Sequence, residues 1–158
     1  MTTAISYLHS PVGYLRLEAD NEGLQSLLLN NPPVDGMTVT EPLHPILVLA
    51  HQQLHEYFNG TRQEFSVPLS MAGTEFQLSA WHALRTIPYG KTVSYKMIAE
   101  QIGRPKAMRA VGMANNRNPI AIIVPCHRVI GANGQLVGYA GGLGMKQWLL
   151  DHETQYAG

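Results

Sequence analysis

SYKMIAEQIGRPKAMRAVGMA, residues 94–114, decides the fold of the second half of the chain. Met97, Ile98 and Ile102 recur at helical spacing from about Ser94 to Ile102, and Gly103-Arg104-Pro105 breaks the run. A short helix rich in small residues follows, roughly Lys106 to Ala114. Two short helices about a tight turn have helix-turn-helix spacing. Upstream, Thr74-Glu75-Phe76-Gln77 predicts a capping box with Thr74 as N-cap and Gln77 at N3. The helix it opens should bury Phe76, Ala80, Trp81 and Leu84 and stop at Pro88-Tyr89-Gly90. Downstream, Asn115 to Pro119 cannot continue a helix, and Ile120 to Val124 reads as a strand or extended core segment that delivers Pro125-Cys126. A last helix is predicted from Leu143 to about His152, burying Met145, Trp148 and Leu149.

The first third has a different rhythm. Ile5–Leu8, Tyr14–Ala19 and Leu24–Leu29 are short apolar or alternating segments separated by Pro11-Val12-Gly13 and Asp20-Asn21-Glu22-Gly23, which predicts antiparallel strands. A Pro- and Gly-bearing loop spans Asn30 to Pro42. His44 to Phe58 then carries a helical apolar stripe that Asn59-Gly60 ends, a helix to lay on one face of the sheet. Phe65 to Leu69 reads as a last strand, and Ser70 to Gly73 as a crossing into a second domain. The expected organisation is α+β: residues 1–72 as a sheet-and-helix domain and residues 73–158 as a mainly helical one.

Formal charge sums to zero, but unevenly. Residues 1–70 hold two basic and seven acidic residues, whereas residues 71–158 hold nine basic and four acidic. Lys91 to Arg128 alone carries seven basic residues against Glu100, a balance suited to a polyanion. No apolar run approaches the ~20 residues that span a bilayer, and the N-terminus lacks a signal-peptide pattern, so the expectation is a soluble cytoplasmic protein. The one cysteine excludes an intrachain disulfide and a multi-thiolate zinc site. His51 and His55 lie one helical turn apart without a third nearby ligand, so no metal is expected. No Gly-x-Gly-x-x-Gly, phosphate loop or magnesium-binding carboxylate cluster is present, and no cofactor is expected.

Cys126 sits in Pro125-Cys126-His127-Arg128, where proline fixes the preceding backbone dihedral and two ionisable neighbours could stabilise a thiolate. A base works best when an acceptor orients its second ring nitrogen. Among the carboxylates of the second half, Glu153, placed just past the final helix, is the choice for a Cys126-His127-Glu153 relay. Asn118 could place an amide near the thiol, and Tyr95, at the start of the first helix of the pair, could donate its hydroxyl to a bound base. Arg109, among the small residues Ala107, Ala110 and Val111, could approach a duplex closely and fill the position of an everted base. Lys91, Lys96, Arg104, Lys106, Arg117 and Arg128 are candidate phosphate contacts.

Pro125-Cys126-His127-Arg128-Val129-Ile130, with Asn118-Pro119 before it and Gly138-Tyr139-Ala140-Gly141-Gly142 and Lys146-Gln147-Trp148-Leu149-Leu150 after it, resembles the active-site region of the O6-alkylguanine-DNA alkyltransferases. Gly73 to Gln77, Trp81, Ile87-Pro88-Tyr89-Gly90 and Ser94-Tyr95 are similar to that family's earlier signature. The resemblance implies a ribonuclease H-like first domain, a winged-helix-like second domain, and irreversible transfer of an alkyl group from O6 of guanine, or O4 of thymine, in double-stranded DNA to Cys126. It implies that His127 acts through a water with Glu153, that Asn118 bridges elements around the site, and that Tyr95 donates a proton toward N3 of the departing guanine. It implies that Arg109 intercalates from a helix-turn-helix set in the minor groove. Met108 and Ala110 would face DNA, Tyr139 and Ala140 would line the pocket, and the Val129 backbone would read the base. Position 140 is Ala where some members carry serine, and Asn115-Asn116-Arg117 departs from other members. A monomer acting once per molecule is expected. The rival readings are a multiple-turnover cysteine hydrolase, a non-catalytic lesion binder, which Cys126 disfavours, and a transcription regulator, for which no sensory domain is visible.

Overall fold

The computed structural model describes residues 3–139 and 141–157, in two compact units, Met1–Met71 and Ala72–Gly158. In the first unit, β1 (Ala4–Ser10), β2 (Gly13–Ala19) and β3 (Leu24–Leu28) form an antiparallel sheet in the order β1-β2-β3. Leu8 pairs with Leu15 and Leu17 with Leu27, so side chains alternate between a buried and an open face. Helix α1 (Pro45–Phe58) packs on all three strands. Pro45 at its first turn lacks only an N–H that no intrahelical carbonyl would accept, and His44 Nδ1 accepts from Ile46 N at 3.2 Å. Leu47, Ala50, Leu54 and Tyr57 meet Leu8, Leu15, Leu17 and Leu27 in the core, and each buried leucine contributes roughly 1.5–3 kcal/mol.

The strand expected over Phe65 to Leu69 is reduced to one parallel bridge, Leu24 with Leu69. Leu24 N donates to Pro68 O and Ser70 N to Leu24 O, both at 2.8 Å, but Pro68 has no N–H with which to continue a ladder. Gly23 is required beside this crossing, since a Cβ there would lie 2.7 Å from the Pro68 carbonyl oxygen.

The second unit opens with α2 (Glu75–Leu84), whose capping box is formed: Gln77 N donates to Thr74 Oγ1 at 3.1 Å and Thr74 N to Gln77 Oε1 at 3.0 Å. Trp81 is buried and its indole N–H donates to the carbonyl of Ala114 at 2.9 Å. Phe76, expected in the core, is only half-buried. After β4 (Val93–Ser94) come α3 (Tyr95–Gln101) and α4 (Met108–Asn116), the helix-turn-helix pair, packed with α2. Gly103, at φ +76°, ends α3 in a Schellman motif: its N–H donates to Glu100 O at 3.0 Å and that of Arg104 to Ala99 O at 2.8 Å. Ile98 and Ala99 are buried, whereas Met97, expected on the same face, is 55% exposed.

Ile120 to Val124 is fully buried, yet it is a compact turn, where a strand or extended segment was expected. Val124 N donates to Ile120 O at 3.1 Å and Ile122 adopts φ +70°, a conformation costing a β-branched residue roughly 1–3 kcal/mol. Helical-length and strand-length rules do not separate a buried turn from a buried strand, because both are apolar throughout. A 3-10 turn, Cys126–Arg128, follows and leads into β5 (Val129–Ile130), which pairs in parallel with β4. The final helix, α5 (Leu143–Tyr156), runs four residues beyond the expected end at His152. Its buried residues are Lys146, Leu149, His152 and Glu153, while Met145 and Trp148 are half-buried.

Candidate active site

Three backbone pieces converge on Cys126: the 3-10 turn that carries it, the buried turn before it, and α5. From the 3-10 turn, the adjacent side chains of His127 and Arg128 reach one carboxylate. His127 Nε2 lies 2.7 Å from Glu153 Oε2, and Arg128 Nε donates to Glu153 Oε1 at 2.7 Å. Arg128 Nη2 adds a contact of 3.0 Å to Oε2, and Nη1 donates to Ile87 O at 2.7 Å. Glu153 lies inside α5, not past its end, and is 1% exposed. Burial alone would push its carboxyl up, but the hydrogen bonds and charges of His127 and Arg128 hold it far below the usual carboxylate range.

This arrangement fixes the imidazole tautomer. An ionised carboxylate only accepts, so His127 Nε2 carries the proton and donates it to Glu153, and Nδ1 is left with a lone pair. His127 is fully buried, and desolvation lowers its pKa against the opposing pull of Glu153, so the ring is neutral at neutral pH. Nδ1 is buried and has no hydrogen-bond partner among the described residues. A neutral ring with a free lone pair is a base awaiting a proton.

The Cys126 thiol is 5% exposed, and burial pushes its pKa up. The groups that act against this are a hydrogen bond from Asn118, the charge of Lys146 and the Tyr139 side chain. Arg128, expected to stabilise the thiolate and to contact phosphate, instead has its guanidinium held by Glu153 and Ile87, and its side chain is only 7% exposed. Asn118 Nδ2 also donates to Val124 O at 2.7 Å, and its Oδ1 accepts from Ile120 N at 3.0 Å, so it clamps the buried turn beneath the thiol. The Tyr139 hydroxyl is buried beside the thiol without a hydrogen bond of good geometry among the described residues, and burial raises its phenol strongly. Tyr95 donates its hydroxyl to Val137 O at 3.2 Å, and burial and then Cys126 raise its phenol.

Lys146 escaped the sequence reading. Its side chain is fully buried, and Nζ donates to Val129 O at 2.6 Å and to Val137 O at 3.0 Å, joining the two segments that flank the thiol. Desolvation lowers its pKa while Cys126 raises it. The available signal was its position three residues before Leu149 and seven before Glu153, on the buried face of α5.

Of the candidate DNA contacts, Arg104, Lys106, Met108, Arg109 and Ala110 are exposed on and just before α4; Lys91 before β4, Lys96 in α3 and Arg117 after α4 are exposed too. Val129 is fully buried and offers only its backbone. Ala140 lies outside the described residues. No helix is long and apolar enough to cross a membrane among the described residues.

Residues 4–71 match the family described as 6-O-methylguanine DNA methyltransferase, ribonuclease-like domain, and residues 75–155 match its DNA binding domain. The methylated-DNA–protein-cysteine methyltransferase of Methanosarcina acetivorans is 51% identical over 146 residues, which cover 91% of this chain and 94% of that protein. The enzyme of the same name from Mycobacterium leprae is 51% identical over 147 residues, covering 92% and 89%. The crystal structure of the Mycobacterium tuberculosis protein OGT in complex with DNA superposes with a TM-score of 0.87 at 47% identity, over 96% of this chain and 93% of that one. With both domains matched along nearly the whole sequence, the chain belongs to the 6-O-methylguanine DNA methyltransferase family.

Proposed function

We propose that this protein repairs DNA by direct reversal, moving the methyl group from O6 of guanine in double-stranded DNA onto Cys126. The observation that carries this reading is the chain's one cysteine, buried and followed directly in sequence by a neutral imidazole whose Nε2–H is held by a buried carboxylate and whose Nδ1 has no partner among the described residues. The thiol proton passes to His127 Nδ1 through a water, and the sulfur displaces guanine from the methyl carbon in line. An S–C bond forms as the O6–C bond breaks, and the electron pair leaves on the purine. Tyr95 gives its proton to N3 of that purine and regains one from the proton taken by His127, so the site returns to neutrality carrying a thioether.

A buried thiol with a raised pKa suits the task, since it stays protonated and unreactive until a base is placed against it. The target must leave the stack to reach such a site, and Arg109 on the exposed face of α4 is the side chain to occupy the gap, with Met108 and Ala110 against the groove and Arg104 and Lys106 on phosphate. Asn118 holds the turn beneath the nucleophile, Tyr139 walls the pocket, and the Val129 backbone reads the base. O4-alkylthymine is a second substrate. A thioether is a poor leaving group, so each monomer acts once, in the cytoplasm.

The test is mass spectrometry after incubation with an O6-methylguanine duplex. The peptide holding Cys126 should gain about 14 Da, at one methyl per protein with no later turnover. Continued turnover would indicate a hydrolase, and methyl acceptance by Cys126→Ala would remove the cysteine from the mechanism.

A further inference from the structure

The outer face of α4 has the wrong composition for a face that meets only water. Val111, Ala114 and Asn115 are buried, and the residues left exposed are Met108, Arg109, Ala110, Met113 and Asn116. A solvated helix face is normally polar and charged, whereas Met108 and Met113 are here 46% and 59% exposed on either side of Arg109. Arg109 and Met113 are four residues apart, so they share one stripe of the helix, about 6 Å from each other along its axis.

Met113 also belongs to a groove. With Phe76 and Ala110 it lines a cavity of about 200 Å³ between the start of α2 and α4, and Arg117 brings a cation to the same lining. Phe76, which the core takes in only halfway, gives the groove an aromatic side. Ala110 and Met113 belong both to this groove and to the face that carries Arg109, so the two surfaces are continuous.

The chemistry of the lining selects its occupant. Seven basic residues against Glu100 between Lys91 and Arg128 make an anionic partner the favoured one. A DNA strand offers an anionic phosphate for Arg117 and, next to it, the apolar carbons of a deoxyribose for Met113 and Phe76. An unbranched, polarisable thioether fits such an irregular surface, and methionine is among the side chains that proteins press into a minor groove. Successive nucleotides of a strand rise about 3.4 Å, so a side chain about 6 Å along α4 from Arg109 falls within about two nucleotides of the position that Arg109 fills.

We propose that this groove is a track for the DNA backbone: Met113 and Phe76 pack on a deoxyribose close to the everted nucleotide, and Arg117 takes the adjoining phosphate. The contact reads no sequence and holds the strand in register while the base is out of the stack. This rests on the placement of Arg109 against DNA proposed above.

Methionine oxidation of the full-length protein reads the contact directly. Dilute hydrogen peroxide converts an exposed thioether to the sulfoxide, a gain of about 16 Da on its peptide. With a saturating unmodified duplex, oxidation of Met113 should slow about tenfold, while Met37, 45% exposed in the first unit, should oxidise as it does without DNA. Met113→Gln should weaken duplex binding about fivefold, and Met113→Leu less than about twofold, since leucine keeps the apolar surface. Neither should alter the salt dependence of binding, because neither removes a cation, whereas Arg117→Ala should flatten its log–log slope by about 0.9. Met113 oxidising equally fast with and without duplex, Met113→Gln binding as the wild type, or an unchanged slope in Arg117→Ala would each overturn the inference. Protection of Met113 that grows with protein concentration in the absence of DNA would also overturn it, and would give the groove to a second copy of the chain. The proposed reaction fails separately: a wild-type protein whose Met113 is protected by duplex, yet which accepts no methyl group, would overturn the transfer and leave the track standing.

Discussion

One carboxylate binds the two residues that follow Cys126. Glu153, 1% exposed, accepts from His127 and twice from Arg128. Removing its charge leaves the Arg128 guanidinium buried without a counter-ion, so Glu153→Gln should lower folding stability by about 3–5 kcal/mol, measured by chemical denaturation at pH 7. The pH dependence has a definite sign. The folded pKa of Glu153 lies below its unfolded value, so its contribution is present above the ordinary carboxylate range and is lost as pH falls toward the folded value. The folded pKa of His127 is also lowered from 6.5, so the unfolded chain takes up its proton first and stability is lost in the same direction below that pH. The wild-type protein should therefore weaken as pH falls below 6.5, where His127 takes up its proton in the unfolded chain, and weaken further below pH 4.5, where the unfolded Glu153 carboxyl does; Glu153→Gln should keep the first loss and lack the second. A wild-type stability that is flat or rises on acidification would contradict the neutral state assigned to His127. This contact was foreseen from residue chemistry, but the seal around Arg128 was not. Chain adjacency does not say where two neighbouring side chains point.

At the scale of the element, the helix-turn-helix depends on its glycines in different ways. Gly103 terminates α3 at φ +76° with no atom within 4 Å of a prospective Cβ, so Gly103→Ala has only its backbone conformation to resist. It should destabilise by about 1 kcal/mol in thermal or chemical denaturation. Gly112 lies inside α4, where an added Cβ would meet the Tyr95 ring at ordinary contact distance. Gly112→Ala should be neutral or stabilising by up to about 1 kcal/mol, because the helix gains propensity and the unfolded chain loses freedom. Equal losses at both positions would mean that contacts, not dihedral angles, decide them. The Gly103 stop and the Thr74 capping box were legible beforehand because each is written within a few consecutive residues. The parallel pairing of β4 with β5 was not, since two-residue strands carry no periodicity and their register lies in partners far along the chain.

For the molecule as a whole, charge is divided between units: the first carries two basic and seven acidic residues, the second nine and four. Six of the seven cations between Lys91 and Arg128 are exposed, and Arg128 is withheld inside the protein. At roughly 0.9 per phosphate neutralised, duplex affinity should fall with salt along a log–log slope no steeper than about −5. Fluorescence anisotropy across a salt series measures it, and a steeper slope would show that cations outside this stretch reach the backbone. Local chemistry in the sequence was enough to establish an α+β chain, the helix-turn-helix, a single cysteine and a basic second half, because caps, turn formers and composition are short-range or additive properties. Tertiary structure alone decided that Ile120 to Val124 turns back on itself, that Arg128 serves Glu153 rather than phosphate, and that Lys146 stands beside the thiol. Those outcomes depend on which polar atoms lose water together, and burial is a property of the packed chain that no single stretch of it contains.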